Sequence, residues 1–356
     1  MRRCAGTWVR PSGPAETTSS ISYSSVCSGW ESVECARSSV TPTVHRKIWC
    51  WTKFPIPFPH PVRCWCGFAP RRSTFPTCCS SRASTRSRSY PPFVPGNEIA
   101  GEVVGAGAGV TLVPGQRVFG TTFGAFAELA LLDGAAAQPI PDGADFASAA
   151  AFGVTYRTAY HALRSVAQVS QGDWVVVLGA AGGVGLAAVD LAVAMGARVL
   201  AAASSPEKLG LCRQRGAEAV VDYDQEDLKL RIRELTGESA RVVLDPVGGS
   251  YAEPALRGLA RGGIFVTLGY AAGSIPAIPL NLVMLKNLTI RGMEIRTFMG
   301  DYPDECARDV AELSQMFAAG KIRPHIGARF PLADTPAALR YVAERKVLGK
   351  VVIDVA

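Results

Sequence analysis

From residue 174 onward, short apolar runs rich in β-branched residues alternate with stretches that have the hydrophobic period of a helix. The apolar runs predict five strands, and the stretches between them predict four helices. The strands are expected at 174–178, 198–203, 219–222, 242–246 and 264–268, and the helices at 183–195, 206–215, 226–235 and 251–259. This alternation favours an α/β fold in which helices cover both faces of a doubly wound parallel sheet.

The chain before this region has a different pattern. Short strands at close spacing are typical of a β-rich, barrel-like unit, and an alanine-rich stretch predicts a helix after them. The strands are expected at 98–104, 117–120 and 126–132, and the helix at 146–163. Beyond the parallel sheet we expect an edge strand at 288–292, a helix at about 304–319 and short closing strands that end at 349–353.

A glycine-rich turn joins the first strand of the α/β region to its first helix. The turn reads Ala180-Ala181-Gly182-Gly183-Val184-Gly185. Glycines let the backbone approach a pyrophosphate, and the following helix N-terminus offers free N–H groups and a partial positive charge. The turn therefore predicts a dinucleotide site, and the alternative is a glycine-rich strand–helix turn that binds nothing.

The end of the second strand indicates which nicotinamide cofactor binds. NAD enzymes usually place an acid there for the ribose 2′-hydroxyl, but this strand ends in Ser204 and Ser205, with Lys208 one helical turn later. Hydroxyls and a cation suit a 2′-phosphate, so the sequence favours NADPH over NADH. In the alternative, Ser205 only caps the helix and Lys208 is a solvated charge. Tyr223, after the third strand, fits either the phosphate site or the core.

The loops after the fourth and fifth strands are candidates for the nicotinamide side of the site, because ligands of open parallel sheets bind at the carboxyl ends of strands. They contribute Val247 and Gly269. Asp245 belongs to the first of these loops or is a simple helix cap. The sequence has no recognisable Ser/His/Asp set, and its four histidines are scattered. It therefore identifies no catalytic residue, and we expect water to deliver any proton.

Composition separates the first 89 residues from the rest. They contain 13 Lys and Arg against three Glu, and eight of the ten cysteines, whereas residues 90–356 contain 24 basic and 27 acidic residues. The basic excess therefore lies outside the predicted folded region, which argues against a nucleic-acid partner. The spacing of Cys64, Cys66, Cys78 and Cys79 is not that of a zinc ribbon. No membrane span or secretory signal is visible, and we expect a cytoplasmic protein.

We interpret residues 1–89 as an atypical segment translated in the wrong frame. Back-translation of residues 48–89 with a shift of one base can encode a string that alternates apolar and polar residues as strands do. The alternative is a disordered extension. The coding nucleotide sequence distinguishes them, since stop codons in the shifted frame would exclude the first.

The chain after residue 90 resembles the medium-chain dehydrogenase/reductase superfamily, specifically its zinc-free quinone oxidoreductase (zeta-crystallin-like) branch. The resemblance rests on Pro95 to Val103, Gly179 to Gly185, Ser204 to Lys208, Asp245 to Gly249 and the Gly349-Lys350 ending. It implies a discontinuous GroES-like catalytic domain at 90–152 and 294–356, and a Rossmann NADPH-binding domain at 153–293. It also implies a homodimer that reduces quinones or other conjugated carbonyls.

The resemblance further implies roles for individual residues. Thr155 matches a cofactor-contacting threonine, Lys208 and Tyr223 match contacts to the 2′-phosphate, and Arg345 matches a late basic contact. Zinc-dependent relatives carry His where Asn97 stands, so no metal is expected. The family also draws an Asn and a Tyr from the region before residue 90, where this chain has them only in the shifted frame. A non-catalytic NADPH-binding protein and an enoyl-thioester reductase therefore remain alternatives.

Overall fold

The computed structural model describes residues 94–355 and the backbone of one earlier strand, β1 (Lys47–Trp51). The frame-shift interpretation of residues 1–89 lies outside the described residues except for β1, which the sequence analysis did not predict. β1 is antiparallel to both of its neighbours in a five-stranded sheet of order β4-β1-β2-β3-β5. The other strands of that sheet are β2 (Glu98–Ala106), β3 (Arg117–Thr121), β4 (Leu129–Asp133) and β5 (Gln138–Pro139).

A six-stranded parallel sheet of order β11-β10-β9-β6-β7-β8 forms the second part of the fold, as the alternation predicted. Its strands are β6 (Trp174–Leu178), β7 (Arg198–Ala203), β8 (Ala219–Asp222), β9 (Ala240–Asp245), β10 (Ile264–Thr267) and β11 (Thr289–Gly292). The helices between them are α2 (Gly183–Ala194), α3 (Pro206–Gln214), α4 (Leu228–Thr236), α5 (Ala252–Gly258) and α6 (Leu280–Lys286). Before this sheet stands α1 (Phe146–His161).

After the sheet come α7 (Ile295–Asp301), α8 (Pro303–Ala318), β12 (Ile326–Pro331), α9 (Thr335–Ala343) and β13 (Lys350–Asp354). β12 and β13 pair in parallel. α1 runs without a break through residues 152 and 153, where the sequence analysis divides the two domains. That division stays a prediction. Among the described residues, no helix combines the length and the apolar character needed to cross a bilayer.

Two hydrophobic cores lie on opposite faces of the parallel sheet. Side chains of a strand point alternately to its two faces. In β6, Val175 and Val177 accordingly pack into one core, and Val176 and Leu178 into the other. All five residues of β6 are buried. This burial on both faces explains why the strand reads as a continuous apolar run rather than an alternating one.

The caps of the crossover helices follow from the sequence. Ser205 is the N-cap of α3, and its hydroxyl accepts a hydrogen bond from the backbone N–H of Lys208 at 3.4 Å. Gly196 and Gly216, which follow α2 and α3, have φ of +77° and +92°, a conformation that favours glycine. The sequence-predicted ends of these two helices are therefore confirmed.

Three helices were not predicted, and one strand begins later than expected. α6 and α7 have seven residues each and α9 has nine, and all three lie beyond β10, where the predicted alternation of strands and helices ends. The strand expected at 126–132 begins at Leu129. The first residue of the expected strand bonds elsewhere, because the backbone N–H of Phe126 donates to the carbonyl oxygen of Pro95 at 2.9 Å.

A buried polar cluster joins α1 to α8. His161 Nδ1 lies 2.8 Å from Asp309 Oδ2, which also accepts the Ser165 hydroxyl at 2.6 Å. Burial lowers the pKa of His161, so the imidazole is favoured in its neutral form. Phe152 stacks on Phe317 with ring centroids 4.2 Å apart. The helix before the parallel sheet is thus fixed to a helix after it by both polar and aromatic contacts.

Candidate functional site

The glycine turn brings α2 very close to the end of β6. A Cβ atom on Gly185 would lie 2.2 Å from the carbonyl oxygen of Gly179 and 2.8 Å from the Cα of Ala180. Gly182 is the N-cap, and the first turn of α2 has no acidic residue. The N-terminus of α2 therefore presents backbone N–H groups to the cleft without a competing carboxylate, as binding of a diphosphate requires.

Hydroxyls and a lysine meet at the end of β7. The Lys208 ammonium donates to Ser204 Oγ at 3.0 Å, and Tyr223 also hydrogen-bonds with Ser204. Burial, followed by the negative charge of Asp224, raises the pKa of Tyr223 to about 12. Tyr223 therefore stays a neutral hydroxyl at pH 7, able to donate to an anion. Ser205 caps α3, as the alternative holds, whereas Lys208 is half-buried and bonded to Ser204. Contact of Lys208 with a 2′-phosphate stays a prediction.

An acid that the sequence analysis did not weigh also lines this part of the cleft. Asp224 follows Tyr223, and its Oδ1 accepts the Tyr251 hydroxyl at 2.5 Å. The rings of Tyr223 and Tyr251 lie 4.3 Å apart. The sequence predicted that no acid lies where the adenosine ribose would bind. The residues that follow β7 have no acid at that point, but the neighbouring loop after β8 contributes Asp224. Sequence reasoning missed Asp224 because it examined only the strand that usually carries the ribose-binding acid.

Asp245 does not line the cleft; it lies beneath the surface and holds the loop after β9 through hydrogen bonds to the backbone of that loop. The side chain is fully buried, and its Oδ1 accepts the backbone N–H groups of Val247 at 2.8 Å and Gly248 at 2.7 Å. Burial raises the pKa of Asp245. A Cβ on Gly179 would lie 2.7 Å from the side chain of Val247. Asp245 thus acts as a cap of its own loop, and it places Val247 directly beside the glycine turn.

An ion pair that sequence reasoning did not identify lies in the same cleft. The Lys350 ammonium donates to Glu98 Oε2 at 2.6 Å, and Glu98 Oε1 accepts the Val154 backbone N–H at 2.7 Å. A Cβ on Gly183 would lie 3.3 Å from the Lys350 stem and 3.2 Å from Thr155. The N–H of the preceding residue, Gly349, donates to Ala181 O at 2.7 Å. The start of β13 therefore packs on the glycine turn.

All twelve residues predicted to bind the cofactor line one cleft of about 1430 Å³. They are Thr155, Ala181, Gly182, Gly183, Val184, Gly185, Ser204, Lys208, Tyr223, Val247, Gly269 and Arg345. Arg345 has φ of +59°, and its guanidinium donates to Ala271 O at 3.2 Å. The structure thus collects residues from seven separate stretches of the chain at one place, although their contact with a cofactor stays a prediction.

Metal ligands are not grouped anywhere in residues 94–355: no three His, Cys, Asp or Glu side chains there could hold an ion together. Asn97 lines the cleft. The cysteines at 64, 66, 78 and 79, for which zinc-ribbon spacing was rejected, lie outside the described residues. The described part of the chain therefore offers no donor set for zinc.

Two family models match the sequence. Residues 183–315 match the model described as zinc-binding dehydrogenase, and residues 75–142 match the alcohol dehydrogenase GroES-like domain. The second match overlaps the end of the segment assigned as atypical. The quinone oxidoreductase-like protein 2 homolog of Nematostella vectensis is 39% identical over 269 residues, which are 74% of this chain and 73% of that protein. Quinone oxidoreductase-like protein 2 of Bos taurus is 36% identical over 306 residues, which are 83% of this chain and 85% of that protein.

Solved structures share the same fold. Escherichia coli quinone oxidoreductase complexed with NADPH matches with a TM-score of 0.74 and 26% identity, covering 89% of this chain and 95% of that one. The CurK enoyl reductase matches with a TM-score of 0.68 and 27% identity, covering 77% of this chain and 82% of that one. The doubly wound sheet and the antiparallel β unit are therefore both found in proteins of known structure.

Proposed function

Since the chain belongs to the medium-chain dehydrogenase/reductase family, in its quinone oxidoreductase-like branch, we propose that it uses NADPH to reduce a quinone or another activated conjugated carbonyl. The observation that carries the proposal is the cluster of Lys208, Ser204 and Tyr223 at one end of a cleft built on the glycine turn. The close packing at Gly185 leaves backbone N–H groups for the diphosphate.

Bound NADPH would supply the hydride, and the chain would supply binding, orientation and a cleft with little water. The N-terminus of α2 would hold the diphosphate, and the Lys208 cluster would hold the 2′-phosphate. Val247 and Gly269, on neighbouring loops, would position the nicotinamide. We propose that the proton comes from water and that the reaction needs no zinc. Asn97, at the position of a zinc-ligating His in zinc-dependent relatives, supports the last point.

Two acceptors test the reaction class. With NADPH and 1,2-naphthoquinone, the full chain should consume NADPH at an unchanged rate when EDTA is added. Faster consumption with crotonyl-CoA would instead favour an enoyl-thioester reductase, the alternative that similarity to the CurK enoyl reductase supports. If the chain binds NADPH and reduces neither acceptor while a frame-corrected chain does, it is a non-catalytic NADPH-binding protein.

Replacing Lys208 with alanine should weaken NADPH binding by roughly 30-fold, the effect of losing one charged hydrogen bond to the 2′-phosphate. NADH lacks that phosphate, so its affinity should not change. Fluorescence titration with both cofactors measures the difference. Arg213→Ala is the matched control, because it removes one cation from the same helix at a residue that does not line the cleft. Equal weakening of both cofactors by Lys208→Ala would contradict the assignment.

We also propose a homodimer, located in the cytoplasm as expected from the sequence. β11 is an edge strand of the parallel sheet, and all four of its residues are exposed. Leu280 and Met284 of the adjoining α6 are also exposed. An unpaired edge beside apolar side chains suits pairing with a second copy. Light scattering should give a mass of twice 37.6 kDa, and the mass of one chain would exclude the dimer.

A further inference from the structure

The adenosine end of the cleft contains a carboxylate whose orientation is set by one hydroxyl. Asp224 is exposed and lines the cleft, and its charge acts on Tyr223, which in turn bonds to Ser204. Ser204 accepts the Lys208 ammonium. A chain of contacts thus leads from Asp224 to the residues proposed to hold the 2′-phosphate.

Tyr251 fixes this carboxylate. Its hydroxyl donates to Asp224 Oδ1 at 2.5 Å, and its ring packs against Tyr223 with centroids 4.3 Å apart. Tyr251 ends a short 3₁₀ turn and is the N-cap of α5, so its backbone belongs to the connection after β9, whereas Asp224 lies on the loop after β8. The other charges that face the two tyrosines are those of Arg345 and, on Tyr223, Asp222.

A free carboxylate at this place would change which cofactor binds. It would repel a 2′-phosphate and would accept a hydrogen bond from a 2′-hydroxyl, as the acid of an NAD site does. A carboxylate oxygen that already accepts a short hydrogen bond is held in one direction and has less capacity left for a ribose hydroxyl.

We propose that Tyr251 is a positioning residue for cofactor selection: it holds the Asp224 carboxylate away from the adenosine ribose and so preserves the preference for NADPH. The inference rests on the proposed function, since it concerns the same cleft. It assigns to Asp224 a latent preference for NADH that Tyr251 suppresses.

Tyr251→Phe tests the inference, because it keeps the ring against Tyr223 and removes only the hydroxyl. The ratio of NADH to NADPH dissociation constants should fall about tenfold, through weaker binding of NADPH and tighter binding of NADH. Titration with 2′,5′-ADP and 5′-AMP, which differ only in the 2′-phosphate, should show the same shift. These fragments lack the nicotinamide, so the measurement does not depend on turnover.

The double variant Tyr251→Phe, Asp224→Asn provides the control. If the freed carboxylate is the cause, removing its charge should restore the wild-type ratio. A ratio unchanged in Tyr251→Phe, or a ratio that stays low in the double variant, would overturn the inference while leaving NADPH as the cofactor. A wild-type chain that binds NADH as tightly as NADPH would overturn both the proposed cofactor and the selection ascribed to Tyr251.

Discussion

Replacing Gly185 with alanine is expected to lower the free energy of unfolding by about 3 kcal/mol and to abolish NADPH binding. The added Cβ would lie 2.2 Å from Gly179 O and 2.8 Å from the Cα of Ala180. Both are backbone atoms, so no side-chain rotation relieves the overlap, and either the turn or the start of α2 must move. The same movement would misplace the N–H groups that hold the diphosphate. Denaturant unfolding and fluorescence titration measure the two effects.

Gly210→Ala is the matched control. Gly210 lies inside α3, and a Cβ there would meet no atom within 4 Å. Alanine should therefore stabilise the protein by about 0.5–1 kcal/mol, because glycine has more conformational freedom to lose when a helix forms. NADPH binding should stay at the wild-type value. A Gly185→Ala variant with wild-type stability and affinity would show that the turn does not pack as described.

The second large effect is expected at the ion pair between Lys350 and Glu98. Their side chains are only 19% and 15% exposed, so Lys350→Met would leave a largely buried carboxylate without its cation. The free energy of unfolding should fall by about 3 kcal/mol. The additional variant Glu98→Gln should recover most of this loss, because an amide can still accept the Val154 N–H without a buried charge. Denaturant unfolding of the single and double variants gives the coupling energy.

Lys346→Met is the control for this experiment. Lys346 pairs with Glu344 at 2.6 Å, but both side chains are more than half exposed. Exposed pairs contribute little, so stability should not change measurably. If Lys350→Met behaves like Lys346→Met, or if Glu98→Gln does not compensate for it, the pair does not stabilise the cleft.

The parallel sheet was predictable because its signals are local. β6, β7 and β8 have the predicted bounds, since each is a short apolar run with burial on one or both faces. Proline, serine and glycine mark the ends of α3 in the same local way. Ten of the twelve residues predicted to bind the cofactor follow strands β6 to β10, and they line one cleft because the carboxyl ends of parallel strands meet at one edge of the sheet. Thr155 and Arg345 reach the cleft from α1 and from the segment after α9.

The residues that were missed depend on contacts between distant parts of the chain. Glu98 and Lys350 are 252 residues apart, and neither pattern nor spacing indicates that they meet. Asp224 and Tyr251 are 27 residues apart and lie on different connections of the sheet. Gly153 is a further example: a Cβ there would lie 3.3 Å from Glu98 Oε1, so this glycine inside α1 leaves room for the carboxylate. The reason for a glycine at this position appears only in the folded structure, where β2 packs on α1.

The long separation between Glu98 and Lys350 also has a consequence for the order of folding. Closing so large a loop is entropically unfavourable until the chain between the two residues is compact. The sheet, whose strands are joined by short crossovers, can form first. During refolding, the dinucleotide cleft would then be completed late, when β13 reaches the glycine turn. A kinetic intermediate with a finished sheet but no closing strand would retain much of the native secondary structure and lack the finished pocket.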